Sequence, residues 1–268
     1  MSSVLARKWR PKNFQDTIGQ IATINTLTNA LTKNRLHHAY LFTGTRGIGK
    51  TTLARIFATC LSCEKGITTK PCEDCTMCKN IAIGQHIDII EIDAASKTKV
   101  EDTRELLATV NYAPQQARFK LFIIDSIHML STHSFNALLK TLEEPPQHVK
   151  FLLATTDPQK IPATILSRCL QFHLQSLSPI EITNHLKKIL DKENINYETQ
   201  ALEIIAKAAT GSVRDALSLL DQAIALTNEK ITASAISSML GHVSQQSLIK
   251  LLAKILHQSA AEVMQETG

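Results

Sequence analysis

Gly44-Thr45-Arg46-Gly47-Ile48-Gly49-Lys50-Thr51 follows directly on the apolar run Ala39-Tyr-Leu-Phe-Thr43 and precedes a segment of helical spacing. The eight residues fit G-x-x-x-x-G-K-[ST], and a strand before with a helix behind is the setting in which that spacing builds a phosphate-binding loop. Each part has a physical duty. Glycines let the backbone N–H groups from Gly44 to Gly49 curl around phosphate oxygens, and the helix that follows presents its positive N-terminal end. Lys50 is expected to reach the β- and γ-phosphates of a nucleoside triphosphate, and the Thr51 hydroxyl to ligate Mg²⁺.

Working outward, short β-branched and aromatic runs alternate with longer segments of helical period, the pattern of a parallel sheet covered by helices. Strands are predicted at 39–43, 87–92, 119–125, 151–155 and 170–174. Helices are predicted after Lys50, over 99–110 and over 134–144, with a short turn at 162–167. The last 90 or so residues show no strand signal; from Pro179 the apolar spacing is helical (Ile182, Leu186, Ile189, then Leu202, Ile205, then Ala216, Leu219, Leu220). The expected organisation is an α/β nucleotide-binding domain over 1–176, a small helical domain over 177–241, and the start of a third helical region over 242–268.

Two further features carry chemistry. The run Leu121-Phe-Ile-Ile-Asp125 ends on a carboxylate that would lie near Mg²⁺ at the C-terminal edge of the sheet, and the next residue is Ser126. A hydroxyl is a poor proton acceptor near neutral pH, so if a base is needed a carboxylate such as Glu91 or Asp93 is the alternative. Cys63-x₈-Cys72-x₂-Cys75-x₂-Cys78 supplies four thiolates for a tetrahedral Zn²⁺ in an insertion at about 60–80. An Fe–S cluster and a redox Cys-x-x-Cys are the rival readings. An all-sulfur set leaves no open position, so the metal is expected to stabilise and not to catalyse. Cys60 and Cys169 are read as ordinary buried residues.

Composition narrows the class. No stretch of the 268 residues reaches the roughly 18 consecutive apolar residues of a membrane-spanning helix, so no membrane role is expected. The N-terminus has no long apolar run after its basic residues, so a secretory leader is not expected and a cytoplasmic location is the default. Twenty-nine Lys and Arg against 24 Asp and Glu give a formal charge of +5, which permits anionic partners without demanding them.

Taken together, Val4-Leu-Ala-Arg-Lys-Trp-Arg-Pro11 with Phe14 and Gly19-Gln20, His37-His-Ala-Tyr-Leu-Phe42, the phosphate loop, the four cysteines, Glu91-Ile-Asp-Ala-Ala-Ser96, the stretch from His133 to Glu143-Glu-Pro-Pro146, and Ser167-Arg-Cys169 are distinctive. The chain resembles the gamma/tau clamp-loader ATPases of bacterial DNA polymerase III, members of the AAA+ class, over nearly its whole length. That resemblance implies a P-loop parallel sheet with a zinc-binding insertion and a helical lid. It also implies ATP with Mg²⁺ as ligand, and ATP-driven assembly with homologous subunits into a ring that places the sliding clamp on primed DNA. Arg168 looks like the arginine finger, Thr156 like the polar sensor and Arg214 like the sensor on the lid. A surface arginine, a strand terminus and a helix-face ion pair with Asp215 or Glu203 are their plain alternatives. The stretches Trp9-Arg10-Pro11 and Ile18-Gly-Gln20 resemble the part that wraps the adenine, while Lys97, Lys99 and Arg104 are candidates for DNA phosphate contact.

Two departures stand out. Ser126 occupies a position where the family carries Glu, and the chain stops after the beginning of the collar through which such subunits oligomerise. Three readings therefore remain: an active motor subunit, an ATP-binding assembly subunit that hardly hydrolyses, and a zinc-stabilised DNA-binding module.

Overall fold

The computed structural model describes residues 4–96, 109–227 and 230–241. Lys97, Lys99, Arg104, most of the helix predicted over 99–110 and the third helical region lie outside the described residues; Thr109–Asn111 forms a short 3-10 turn. The described chain divides into two compact units.

The larger unit comprises Arg7–Leu177 with Ser212–Arg214. After the short helix α1 (Leu5–Lys8), which enters it, come α2 (Ile21–Thr32), β1 (Ala39–Thr43), α3 (Lys50–Ser62), α4 (Thr76–Ile83), β2 (Ile89–Asp93), β3 (Lys120–Asp125), α5 (Thr132–Glu143), β4 (Val149–Thr155), α6 (Ala163–Leu166) and β5 (Leu170–His173). The five strands form one parallel sheet in the order β2-β3-β4-β1-β5. Every residue of β1 and β4 is buried because both faces of the sheet are covered, which is why 39–42 and 151–154 read as apolar runs, with Lys150 the charged exception. Side chains alternate between the faces. Tyr40 and Phe42 join Leu27 and Leu31 of α2 and Leu53, Phe57 and Leu61 of α3 in one core, while Ala39 and Leu41 join Leu138 and Leu142 of α5 and Ile165 of α6 in the other. Tyr40 meets Phe57 edge-on at 4.8 Å between ring centres, and Phe42 stacks on Phe172 at 5.6 Å.

β2 begins two residues later than its apolar run suggests. Ile87 is 57% exposed, and the buried Asp88 turns instead to the chain ahead of β3. Its carboxylate accepts the backbone N–H groups of Gln115, Gln116 and Ala117 at 2.7–2.8 Å. Burial alone would push the Asp88 pKa up; the three donors outweigh it and hold the carboxyl below its ordinary value.

Among the described residues, the smaller unit comprises 4–6, 178–211, 215–227 and 230–241. Its elements are α7 (Pro179–Glu193), β6 (Asn196–Tyr197), α8 (Thr199–Ala208), most of α9 (Val213–Leu226), β7 (Lys230–Ile231) and α10 (Ala233–Met239). A capping box starts α7: the Glu181 N–H donates to Ser178 Oγ, Glu181 Oε2 accepts from the Ser178 N–H at 2.8 Å, and Pro179 follows the cap. The expectation that this half contains no strand is corrected by β6 and β7, which pair in parallel through Asn196–Lys230 and Tyr197–Ile231. Two residues are too few to carry an alternation, so no periodic signal marks them.

Candidate nucleotide and metal sites

The loop between β1 and α3 crosses the C-terminal edge of the sheet. Gly44 has φ +138°, and a Cβ there would strike the Ile48 side chain and the Leu174 carbonyl. Gly47 has φ +78°, and a Cβ there would strike Ser212 Oγ; the Arg214 N–H donates to the Gly47 carbonyl at 3.4 Å. Glycine is required at both points by the turn and by these close approaches. Ile48 is buried and anchors the loop, while Thr45 and Arg46 lie exposed on its crest and Gly49 caps α3 in the left-handed conformation. Lys50 donates to the carbonyls of Gly44 at 2.9 Å and Thr45 at 2.6 Å, so its ammonium sits inside the loop. Burial lowers the Lys50 pKa to about 8, against the opposing pull of Asp125.

Thr51 Oγ1 donates to Asp125 Oδ2 at 2.5 Å. A hydroxyl and a carboxylate thus converge beside the lysine, an oxygen donor set that fits the hard cation Mg²⁺. The Ser126 N–H donates to Asp125 Oδ1 at 2.7 Å, and Ser126 takes φ +53°, unusual for a residue with a side chain. Register places Asp93 level with Asp125 on the neighbouring strand. Glu91, the other carboxylate considered as a base, is bound through both oxygens by Arg55 at 2.5 and 2.6 Å and is thereby neutralised.

A cleft of about 330 Å³ opens beside the loop, lined by Gly44, Thr45, Thr156, His173, Gln175 and Ser176 among others. Thr156 is exposed on it, whereas the buried hydroxyl at the end of β4 belongs to Thr155, which pairs with His128 Nδ1 at 3.0 Å and accepts the Asp157 N–H. Gln20 clamps the cleft margin: its Nε2 donates to the Gln175 carbonyl at 2.7 Å and its Oε1 accepts the Gln175 N–H at 3.1 Å. Arg168 lies away from the loop. Its guanidinium pairs with Glu143 at 2.9 Å and donates to the Thr164 carbonyl at 2.7 Å, so it is held on the end of α5 and on α6.

The four cysteines of the insertion converge, with all Sγ atoms within 4.8 Å of one another. Tetrahedral zinc with Zn–S near 2.3 Å sets sulfurs about 3.8 Å apart, and Cys63–Cys72 and Cys72–Cys78 are 3.6 and 4.0 Å apart. Backbone N–H groups of Cys75 and Cys78 donate to Cys72 Sγ and Cys75 Sγ at 3.4 Å. Backbone donors lower the Cys72 pKa to about 6, favouring the thiolate that binds metal. Burial pushes Cys60 up to about 12, which keeps it a thiol outside the cluster. The arrangement fits zinc. Arg118 braces it, its guanidinium donating to the carbonyls of Cys63 at 2.6 Å and Glu64 at 3.2 Å.

Comparison with known proteins follows the same division of the chain. Residues 19–178 match the family model described as DNA polymerase III, delta subunit, and residues 181–229 match DNA polymerase III clamp loader subunit, ATPase lid domain. The DNA polymerase III subunit gamma of Buchnera aphidicola subsp. Schizaphis graminum is 51% identical, over 97% of this chain and 72% of that one. The chain belongs to the DNA polymerase III gamma/tau family. Other members include subunit tau/gamma of Haemophilus influenzae, 59% identical over 98% of this chain and 38% of its own length, and subunit tau of Escherichia coli, 56% identical over 97% and 41%. This chain therefore spans about two fifths of those longer relatives. In fold it resembles the RuvB Holliday junction branch migration motor of Thermotoga maritima, with a TM-score of 0.65 at 22% identity, covering 93% of this chain and 80% of that one. Among the described residues no helix is long and apolar enough to cross a membrane.

The structure brings Lys50, Thr51, Asp125, Thr156 and the Arg214 backbone to one end of the sheet, and the four cysteines to one point. Sequence reasoning missed Gln20 as a clamp, Glu143 as the partner of Arg168, and the Thr155–His128 pair. Each partner lies far along the chain, where no spacing rule reaches.

Proposed function

We propose that this chain is the ATP-driven motor part of a clamp-loader subunit of bacterial DNA polymerase III, assembling with homologous subunits to place the sliding clamp on primed DNA. The observation that carries the reading is the convergence of Lys50, Thr51 and Asp125 at the mouth of the glycine loop, in a chain of the gamma/tau family. Thr51 and Asp125 would hold Mg²⁺, which when bound neutralises phosphate charge. Lys50 would bind the β- and γ-phosphates, and the loop N–H groups would enclose them. Thr156 would sense the γ-phosphate from the cleft wall, and Arg214 would do so from beside Gly47. Arg168 would act on nucleotide bound by a neighbouring subunit, with Glu143 and Thr164 fixing its direction. The cysteine cluster would hold Zn²⁺ as a structural knot. The family's lid domain is described as that of an ATPase, which supports the motor over an assembly subunit that only binds ATP.

The test is ATP turnover and clamp loading by the full-length protein in its complex, with clamp and primed DNA. Lys50→Ala is expected to abolish both; wild-type turnover no faster than that variant's would sink the motor reading.

A further inference from the structure

We propose that Arg10 is a ligand of the nucleotide's phosphates, brought to the loop by the N-terminal segment; the proposal rests on the reading of the loop as a nucleotide site. Arg10 Nε donates to Thr52 Oγ1 at 3.3 Å, on the first turn of α3 and two residues past Lys50. Among the described residues this is the only hydrogen bond of the side chain, and no carboxylate pairs with it. The two nearby carboxylates are otherwise engaged: Glu91 is gripped by Arg55, while Asp125 binds Thr51 and the Ser126 N–H. The remaining charged neighbours are cations, Arg55 and Arg214.

A guanidinium offers five N–H donors in a planar fork, and here one of them is used. Burial and the neighbouring Arg55 pull its pKa down to about 10, so the apoprotein bears the cost of a half-buried charge without a counterion. A polyanion seated at the helix N-terminus supplies that counterion, and planar fork-to-phosphate geometry suits arginine better than lysine. The role assigned differs from wrapping the adenine, because the group that Arg10 touches belongs to the phosphate end of the site.

Titration calorimetry on the full-length protein with ATP, ADP and inorganic tripolyphosphate separates the possibilities. Arg10→Ala and the larger Arg10→Gln are each expected to weaken all three ligands by about tenfold or more, the worth of a hydrogen bond to a charged group. Arg10→Lys is expected to recover part of the loss. The melting temperature without ligand should stay level or rise in Arg10→Ala and Arg10→Gln, because a like-charge cost is removed; a residue that merely holds the fold would lower it. ATP and tripolyphosphate affinities within twofold of wild type in Arg10→Ala and Arg10→Gln overturn the proposal. So does a loss confined to ATP and ADP, which would place Arg10 at the adenine. Lys50→Ala is the separate control: unchanged ATP affinity there would remove the nucleotide reading itself, whatever Arg10 does.

Discussion

At the scale of single residues, Lys50 and Ser126 set the expected behaviour of the site. Lys50 has its pKa lowered to about 8 by burial, and in the proposed role its charged form would be the one that binds phosphate. Nucleotide affinity should therefore hold between pH 7 and 8 and fall above pH 8, up to about tenfold per unit. Fluorescent ADP titrated across pH 7–9.5 checks this, and a flat profile would contradict it. For stability the sign reverses: the unfolded lysine binds its proton more tightly than the folded one, so this group's contribution grows between pH 8 and its ordinary value. At Ser126, no carboxylate follows Asp125, the residue proposed to stand beside Mg²⁺. Ser126→Glu is expected to raise turnover, a positioned base being worth about 10² to 10⁴, with little change in stability because Ser126 already carries the left-handed backbone. If the rate in the assembled complex does not move, the proton acceptor lies elsewhere, with Asp93 next in line by register.

At the scale of elements, legibility followed burial. β1, β3 and β4 were readable because the centre of a strand covered on both faces is apolar on both, as in 121–124 and 151–154, even where Lys120 and Lys150 stand at the strand starts. β6 and β7 were not, since two residues carry no period, and the start of β2 was misplaced because Ile87 is apolar yet exposed. The loop and the four cysteines read from local spacing and Asp125 from the end of its apolar run; the pairings of Gln20 with Gln175, Glu143 with Arg168 and Thr155 with His128 do not, because tertiary structure makes them. Two variants test the elements directly. Phe57→Ala empties a fully buried position of α3 against Tyr40 and should cost about 3–5 kcal/mol in denaturant unfolding. Ser178→Ala removes the cap of α7 and should cost about 1 kcal/mol, read in the smaller unit's transition.

At the scale of the whole molecule, α3 joins two chemistries. Gly49 precedes its first residue and Cys63 follows its last, so phosphate loop and thiolate cluster stand about 20 Å apart on one rod. Purified protein is expected to carry one zinc per chain by elemental analysis. Chelation or Cys72→Ser should lower its melting temperature by several degrees; metal-free protein as stable as the native form would exclude a structural metal. Finally, the Gln20 amide supplies both an N–H and a C=O to the backbone of Gln175, 155 residues away. The segment ahead of α2 and the segment that leaves β5 therefore meet in space and are held as one edge. Gln20→Ala is expected to release both segments together, read as faster amide hydrogen exchange at Gln175 with the sheet itself unchanged.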